Sequence, residues 1–334
     1  MKTWLYKLAG ILVSVLFVYL AVRDVDLSEF LRALGTTQFG WLLAATPIYL
    51  CSFPVRALRW RRILLDQKVL SFREVMVPTV IGHMANNILP ARTGEIYRAH
   101  FLGSQARMSR SGVMGSIVAE RIFDVLMLVS LLLLLFILYP KIPFIGGVAS
   151  VFGLVFLALA TGALIYSLTA DRLHRAVDKV LRVLPQNFVE FISRQLKSFL
   201  LGIRGISTVR GGLEVVAYTA LIWALETCAV ALVVISFGVK LPLSGYLLVY
   251  VLAALGTMLP SGPAYVGPYQ YAFVLALGFF AVSQEVALAS SIVAQLTLAG
   301  SITAIGLVLF WREQLHTGSP LRQEKVKLKK ENID

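Results

Sequence analysis

Apolar runs long enough to cross a bilayer alternate along this chain with short basic segments. Largely apolar stretches cover about 4–22, 39–58, 111–139, 145–168, 213–239 and 286–311. Windows of about 18 or more such residues mark transmembrane helices, so six full spans are expected. Two further apolar segments, 75–89 and 243–259, are shorter and run into Pro90 and Pro260. At 1.5 Å per residue, about 15 residues reach roughly 22 Å, less than the roughly 30 Å hydrocarbon core. Arg56, Arg59, Arg61, Arg62, Lys68 and Arg73 precede the first of these segments, and Arg92, Arg98, Arg107 and Arg110 follow its break. Positive charge marks the cytoplasmic side. A segment that starts and ends on that side is re-entrant, which is tolerated at membrane depth only where protein or water covers the backbone.

The same arithmetic predicts an inverted repeat. Each half reads helix, surface helix, helix, proline-broken hairpin, helix, over about 4–139 and 145–311. The first half starts inside and the second outside. Pro90 and Pro260 both fall about 50 residues into spans of roughly 100 (39–139 and 213–311), each after an apolar residue and a leucine, Ile88-Leu89 and Met258-Leu259. Inverted repeats with discontinuous helices are a transporter architecture. The expected fold is therefore all-α and polytopic, with one membrane domain over 1–312 and a basic cytoplasmic tail over 313–334. Residues 26–34 form a short amphipathic piece with Leu27, Phe30, Leu31 and Leu34 on one face. In the polar section 171–210, Phe188, Phe191, Ile192, Leu196, Phe199 and Ile203 recur at helical spacing, as in a helix lying on the cytoplasmic surface.

Composition agrees with that class. The chain of 334 residues is 58% hydrophobic, with a mean hydropathy of +0.79, where a soluble globule has about 45–50% apolar residues. The formal charge of +13 reads as cytoplasm-facing charge, since no aromatic-basic patch or reader module for nucleic acid is present. Cys51 and Cys228 lie in apolar spans without metal or disulfide spacing. Residues 19–22 before Arg23 lack a small-x-small cleavage site, so the first helix is read as retained. The expected location is the cell (inner) membrane, with both termini cytoplasmic.

Candidate chemistry concentrates between Ile81 and Asp124. Polar and ionised groups near hydrocarbon depth are costly and usually face a protein interior or a water-filled path. Asn86, Asn87, Arg92, Glu95 and Arg98 flank the first proline break, with Gly94 among them. Arg92 and Arg98 suit an anionic headgroup, because the guanidinium fork matches a phosphate. The other reading is a set of interfacial charges closed by Arg–Glu pairs. Glu120 and Asp124 share a helix face, and Arg121 reaches Asp124 at i,i+3; they extend the path or lock the helix. His83 can titrate near neutrality or serve as a satisfied structural residue. Glu226 stands alone near the middle of its span, so it is protonated or paired, and proton coupling is one candidate role. The loop from Pro260 through Gly262 and Gly267 to Gln270 either presents backbone groups to a ligand or makes a tight turn. Its PSG opening is shared with lipid phosphatases of the phosphatidic-acid type, but the following His and a downstream His–Asp relay are missing.

NNILPARTGEIYRA, AERIFD and LPSGPAYVGPYQYAFVLALGFF, in this order, resemble the flippase-like membrane family. That family includes the transmembrane region of lysylphosphatidylglycerol synthetase, the multiple peptide resistance factor. The resemblance covers roughly residues 7–311. It implies an integral membrane protein that moves lipids or lipid-linked groups between leaflets. Synthetase members add a soluble aminoacyl-transferase domain; here 22 residues (313–334) follow Arg312, so synthesis is not expected. Many relatives carry Glu where this chain has Gln270, so the resemblance does not carry a proton or cation role over to that position.

The expected function is translocation of an anionic or phosphate-linked lipid, without ATP, as no phosphate-cradling P-loop is present. No cofactor or metal is expected, and the partners are membrane lipids. A membrane-embedded enzyme acting on a lipid phosphate, with Glu120 or Asp124 as acid or base, is the alternative. A non-catalytic partner of an envelope-lipid enzyme is a third reading.

Overall fold

The computed structural model describes residues 2–89, 93–140, 146–147, 208–259 and 261–316. The expected span 145–168, the surface helix up to residue 207, the tail beyond 316, and Pro90, Arg92 and Pro260 lie outside the described residues. All regular elements among the described residues are helical. Four helical stretches are long and apolar enough to cross a bilayer: Phe39–Leu64, Arg110–Leu138, Val209–Ser236 and Gln284–Glu313. Gly10–Val22 and Leu243–Met258 are shorter apolar helices. The protein is an all-α, multi-pass membrane protein.

The chain forms two compact units. One comprises Met1–Arg61, Leu70–Arg110 and Leu221–Asp334; the other comprises Arg62–Val69 and Ser111–Ala220. The first unit begins with α1 (Lys2–Val22) and the amphipathic α2 (Leu27–Gly35). Asp26 caps α2: its carboxylate accepts from the Ser28 hydroxyl at 2.6 Å and the Ser28 amide at 2.7 Å. These bonds, with one from the Glu29 amide, hold the Asp26 carboxyl below the ordinary range. Helix α3 (Phe39–Leu64) follows, with 26 residues. It continues past the expected end at residue 58, because Arg59 and Trp60 are fully buried and stay on the helix.

Two helical hairpins follow the expected proline breaks. The first pairs α4 (Phe72–Ile88) with α5 (Gly94–Gln105). Ser71 and Glu74 close a reciprocal capping box at the start of α4, which satisfies two otherwise orphaned amides. Leu89 ends α4 in an extended conformation (φ −96°, ψ 142°), as a residue before proline must. Helix α6 (Arg110–Leu138) follows, then α7 (Val209–Ser236). The second hairpin pairs α8 (Leu243–Met258) with α9 (Pro268–Gly278). Leu259 repeats the pre-proline geometry (φ −68°, ψ 136°). The last crossing is α10 (Gln284–Ala294), a π-helical turn at Gln295–Ala299, and α11 (Gly300–His316).

Glycines set how closely these helices approach. A Cβ on Gly94 would lie 2.2 Å from the Gly82 carbonyl oxygen, and one on Gly256 would lie 2.6 Å from that of Pro268. Each hairpin is thus closed by a backbone contact that leaves no room for a side chain. Helix α11 meets α4 in the same way, with Gly306 against Met84, and Val77, Ile81, Met84 and Ala85 pack with Leu309 and Phe310. Helices α3 and α7 run antiparallel, the Gln38 amide donating to the Ser236 carbonyl at 2.9 Å.

In the second unit, Ile63, Ala119 and Val215 bury together against Phe123. Arg62 Nε donates to Glu214 at 2.7 Å, and Gln67 donates to the Gly112 carbonyl at 3.3 Å.

Candidate functional site

The first hairpin holds four of the expected pathway residues. Arg98 on α5 is 2% exposed. Its stem crosses α4 at Gly82, where a Cβ would come within 3.1 Å of the Arg98 Cβ. Its guanidinium carbon then lies 3.4 Å from the centroid of the Trp60 ring, a cation–π arrangement that favours charge away from water. Asn86 is half-buried, and its Oδ1 is shielded from solvent with no hydrogen-bond partner among the described residues. This oxygen faces the closest backbone approach of the hairpin, 2.6 Å from where a Gly94 Cβ would stand. Asn87 points to the last crossing instead, donating to Thr303 Oγ1 at 2.9 Å and to the Ala299 carbonyl at 3.3 Å. Glu95 is half-buried in the first turn of α5. His83 Nδ1 lies 2.8 Å from the Thr79 carbonyl, with its ring edge-on to Phe53 at 5.1 Å, a structural placement.

The second hairpin contacts the first through its loop: the 3₁₀ turn Pro263–Tyr265 packs against α4. Two loop amides are used internally, as the tight-turn reading has them. Gly262 donates to Ser14 Oγ on α1 at 2.8 Å, and Gly267 donates to Gln270 Oε1 at 2.8 Å. Gln270 is buried, and its Nε2 donates to Gln295 Oε1 at 2.6 Å; Gln295 in turn donates to the Ala264 carbonyl. Gln270 therefore works as a two-ended amide, and a glutamate there would lose the donor end. The loop carries left-handed backbone at Ala264, Tyr265 and Gly267. At Gly267 a Cβ would stand 2.5 Å from the Ser14 carbonyl oxygen, so the close approach of α1 requires glycine there. Ser261 Oγ is buried, with no partner among the described residues.

Glu226 on α7 meets a partner that the sequence reading assigned to topology. Arg56 on α3 reaches Glu226 Oε1 with NH2 at 2.6 Å and Nε at 3.1 Å, and Ser52 donates to the same oxygen at 2.9 Å. Tyr250 on α8 donates to Oε2 at 2.5 Å, with its ring edge-on to Trp223. The Arg56 and Glu226 side chains are 14% and 8% exposed. Of the arginines read as orientation charges, Arg56 is thus a buried ion-pair partner, Arg59 is fully buried, and Arg62 pairs with Glu214. The signal was an arginine set inside an apolar run rather than beyond it.

The remaining expected residues lie in the second unit. Glu120 is 1% exposed, and Arg121 NH1 donates to Asp124 Oδ2 at 3.0 Å, the i,i+3 pair read from the spacing. Among the described residues, no group of three or more His, Cys, Asp or Glu is arranged to hold a metal ion.

The family model described as the lysylphosphatidylglycerol synthase TM region matches residues 7–306. Glycosyltransferase AglD of Haloferax volcanii is 24% identical over 89% of this chain, which spans about half (53%) of AglD's length. A UPF0104 membrane protein of Methanothermobacter thermautotrophicus is 25% identical over 80% of the chain and 83% of its own length. One of Pyrococcus horikoshii is 24% identical over 83% and 88%.

Proposed function

We propose a lipid-translocating role for this chain, which belongs to the family of the lysylphosphatidylglycerol synthase transmembrane region. The observation that carries the reading is the first hairpin. Inside an apolar, multi-pass fold it keeps a buried arginine stacked on Trp60 and a shielded Asn86 oxygen beside a proline break. Such groups are costly at this depth and mark a pathway where they occur.

In this reading an anionic, phosphate-bearing headgroup enters beside Arg92 and Arg98 while its acyl chains stay in lipid. Arg92, two residues after Pro90, supplies the fork for the phosphate. Asn86 and Glu95 keep the path polar, and the second-hairpin loop closes it against α4. Both hairpins are re-entrant and belong to inverted repeats, so the rocking of one repeat against the other alternates access. The arms fit that proposal: α4 has 17 residues and α8 has 16, roughly 25 Å each, short of the hydrocarbon thickness. The protein lies in the cell membrane with both termini cytoplasmic. Glu226 ties α7 to α3 and α8 as a structural link. Proton coupling is the alternative role, and an unchanged pH profile of transport in Glu226→Gln overturns it.

A second reading draws on the relative named a glycosyltransferase: a membrane-embedded enzyme acting on a lipid phosphate. Purified protein in liposomes separates the two. Movement of headgroup-labelled lipid between leaflets, with no new covalent product, supports translocation. Covalent product without leaflet movement supports the enzyme.

A further inference from the structure

The N-terminal turn of α4 and the C-terminal end of α11 enclose a cleft of about 430 Å3. Its floor is apolar, made by Met76, Val77 and Leu309; Arg73, Arg312 and Glu313 line it. Arg73 and Arg312 are exposed, so the cleft carries two cations against one acid. Large exposed apolar side chains surround the pair: Phe72 (40%), Val308 (60%) and Trp311 (64%). Two guanidinium groups among lipid-facing side chains, one beside a tryptophan, make a membrane–water interface. The cleft is held open by contacts deeper in the fold. Gly306 leaves room for Met84, and Asn87 bonds Thr303, so α4 and α11 are fixed against each other.

We propose that this cleft binds one anionic glycerophospholipid of the cytoplasmic leaflet, its phosphate between Arg73 and Arg312 and one acyl chain along Met76, Val77 and Leu309. Charge complementarity selects the headgroup, and the apolar floor selects a lipid over a free anion. The site is separate from the first hairpin's polar path and does not depend on transport.

The test uses the full chain in detergent micelles with phosphatidic acid and phosphatidylcholine at equal amounts, read by native mass spectrometry. One cation near a membrane surface gives about a fivefold preference for an anionic lipid, so two give about thirtyfold. Wild-type protein should retain one phosphatidic acid with a preference of that order, and R73K/R312K most of it. R73Q/R312Q should lose it, and the single variants should each lose about fivefold if the double variant does not fold. Equal retention of phosphatidylcholine, or an undiminished preference in a folded R73Q/R312Q protein, overturns the proposal. Displacement of the lipid by glycerol phosphate at millimolar concentration also overturns it, because the occupant is then a free anion. Loss of transport with lipid retention intact would count against the hairpin path and leave this cleft standing.

Discussion

Removing the carboxylate of Glu226 should be far costlier than its single position suggests. It accepts hydrogen bonds from Ser52, from two nitrogens of Arg56 and from Tyr250, at 2.5–3.1 Å. These donors sit on α3 and α8, so one carboxylate ties α7 to two other helices. Glu226→Leu leaves Arg56 14% exposed without its counter-charge. Breaking a buried pair from one side costs about 3–5 kcal/mol, whereas replacing both members by apolar groups of similar size is often near neutral. Arg56→Met alone should cost about the same as Glu226→Leu. The double variant should fall at least about 2 kcal/mol short of the sum of the singles. Tyr250→Phe removes one bond to a charged acceptor and should cost about 1.5–3 kcal/mol. Equilibrium unfolding of the four proteins in mixed micelles gives the cycle. Single variants within about 0.5 kcal/mol of wild type, or strictly additive effects, would refute the reasoning.

The hairpin crossings make a paired prediction: Gly94→Ala and Gly256→Ala each push a methyl into a backbone carbonyl and should each cost about 1–3 kcal/mol, while Gly278→Ala, with open space around it, should not; equal stability of all three in unfolding titrations contradicts the crossing geometry. The Asp26 cap should depend on pH. Its folded-state carboxyl titrates below the ordinary value, so the stabilisation is complete above that value and is lost as pH falls through the depressed one. Amide protection at Ser28 and Glu29, relative to the intrinsic exchange rate at each pH, should fall in that acid range, and in Asp26→Ala it should be low at neutral pH as well. For topology, with Cys51 and Cys228 replaced, a cysteine at position 68 should resist an impermeant thiol reagent in intact cells while one at 141 should label; the reverse pattern overturns the orientation.

Hydropathy made the helical class legible because span length is set by the bilayer, and proline made the hairpin arms legible because the preceding residue must leave the helix. Leu89 and Leu259 do so with nearly the same backbone angles. Pairings between distant segments were not legible. Nothing local in the sequence marks Arg56 for Glu226, Trp60 for Arg98 or Gln295 for Gln270. Each depends on which helix faces which, and an apolar helix in lipid carries little periodic signal of its buried side. The closest clues were compositional: Arg56 inside an apolar run, and Gln295 alone in an apolar crossing. The first was absorbed by the orientation rule, which counts charge at a span's end without asking whether it is buried.

The most direct test of translocation through the first hairpin is the transport activity of Arg92 variants. Headgroup-labelled anionic lipid is followed between leaflets of liposomes that hold equal amounts of folded protein. A phosphate contact needs the guanidinium fork, which lysine lacks, whereas a topology charge does not distinguish the two. Arg92→Lys should be clearly impaired, and Arg92→Ala worse, with about tenfold to a hundredfold weaker lipid binding from one lost charge-assisted contact of roughly 1.5–3 kcal/mol. Wild-type flipping by Arg92→Lys would contradict the proposed path.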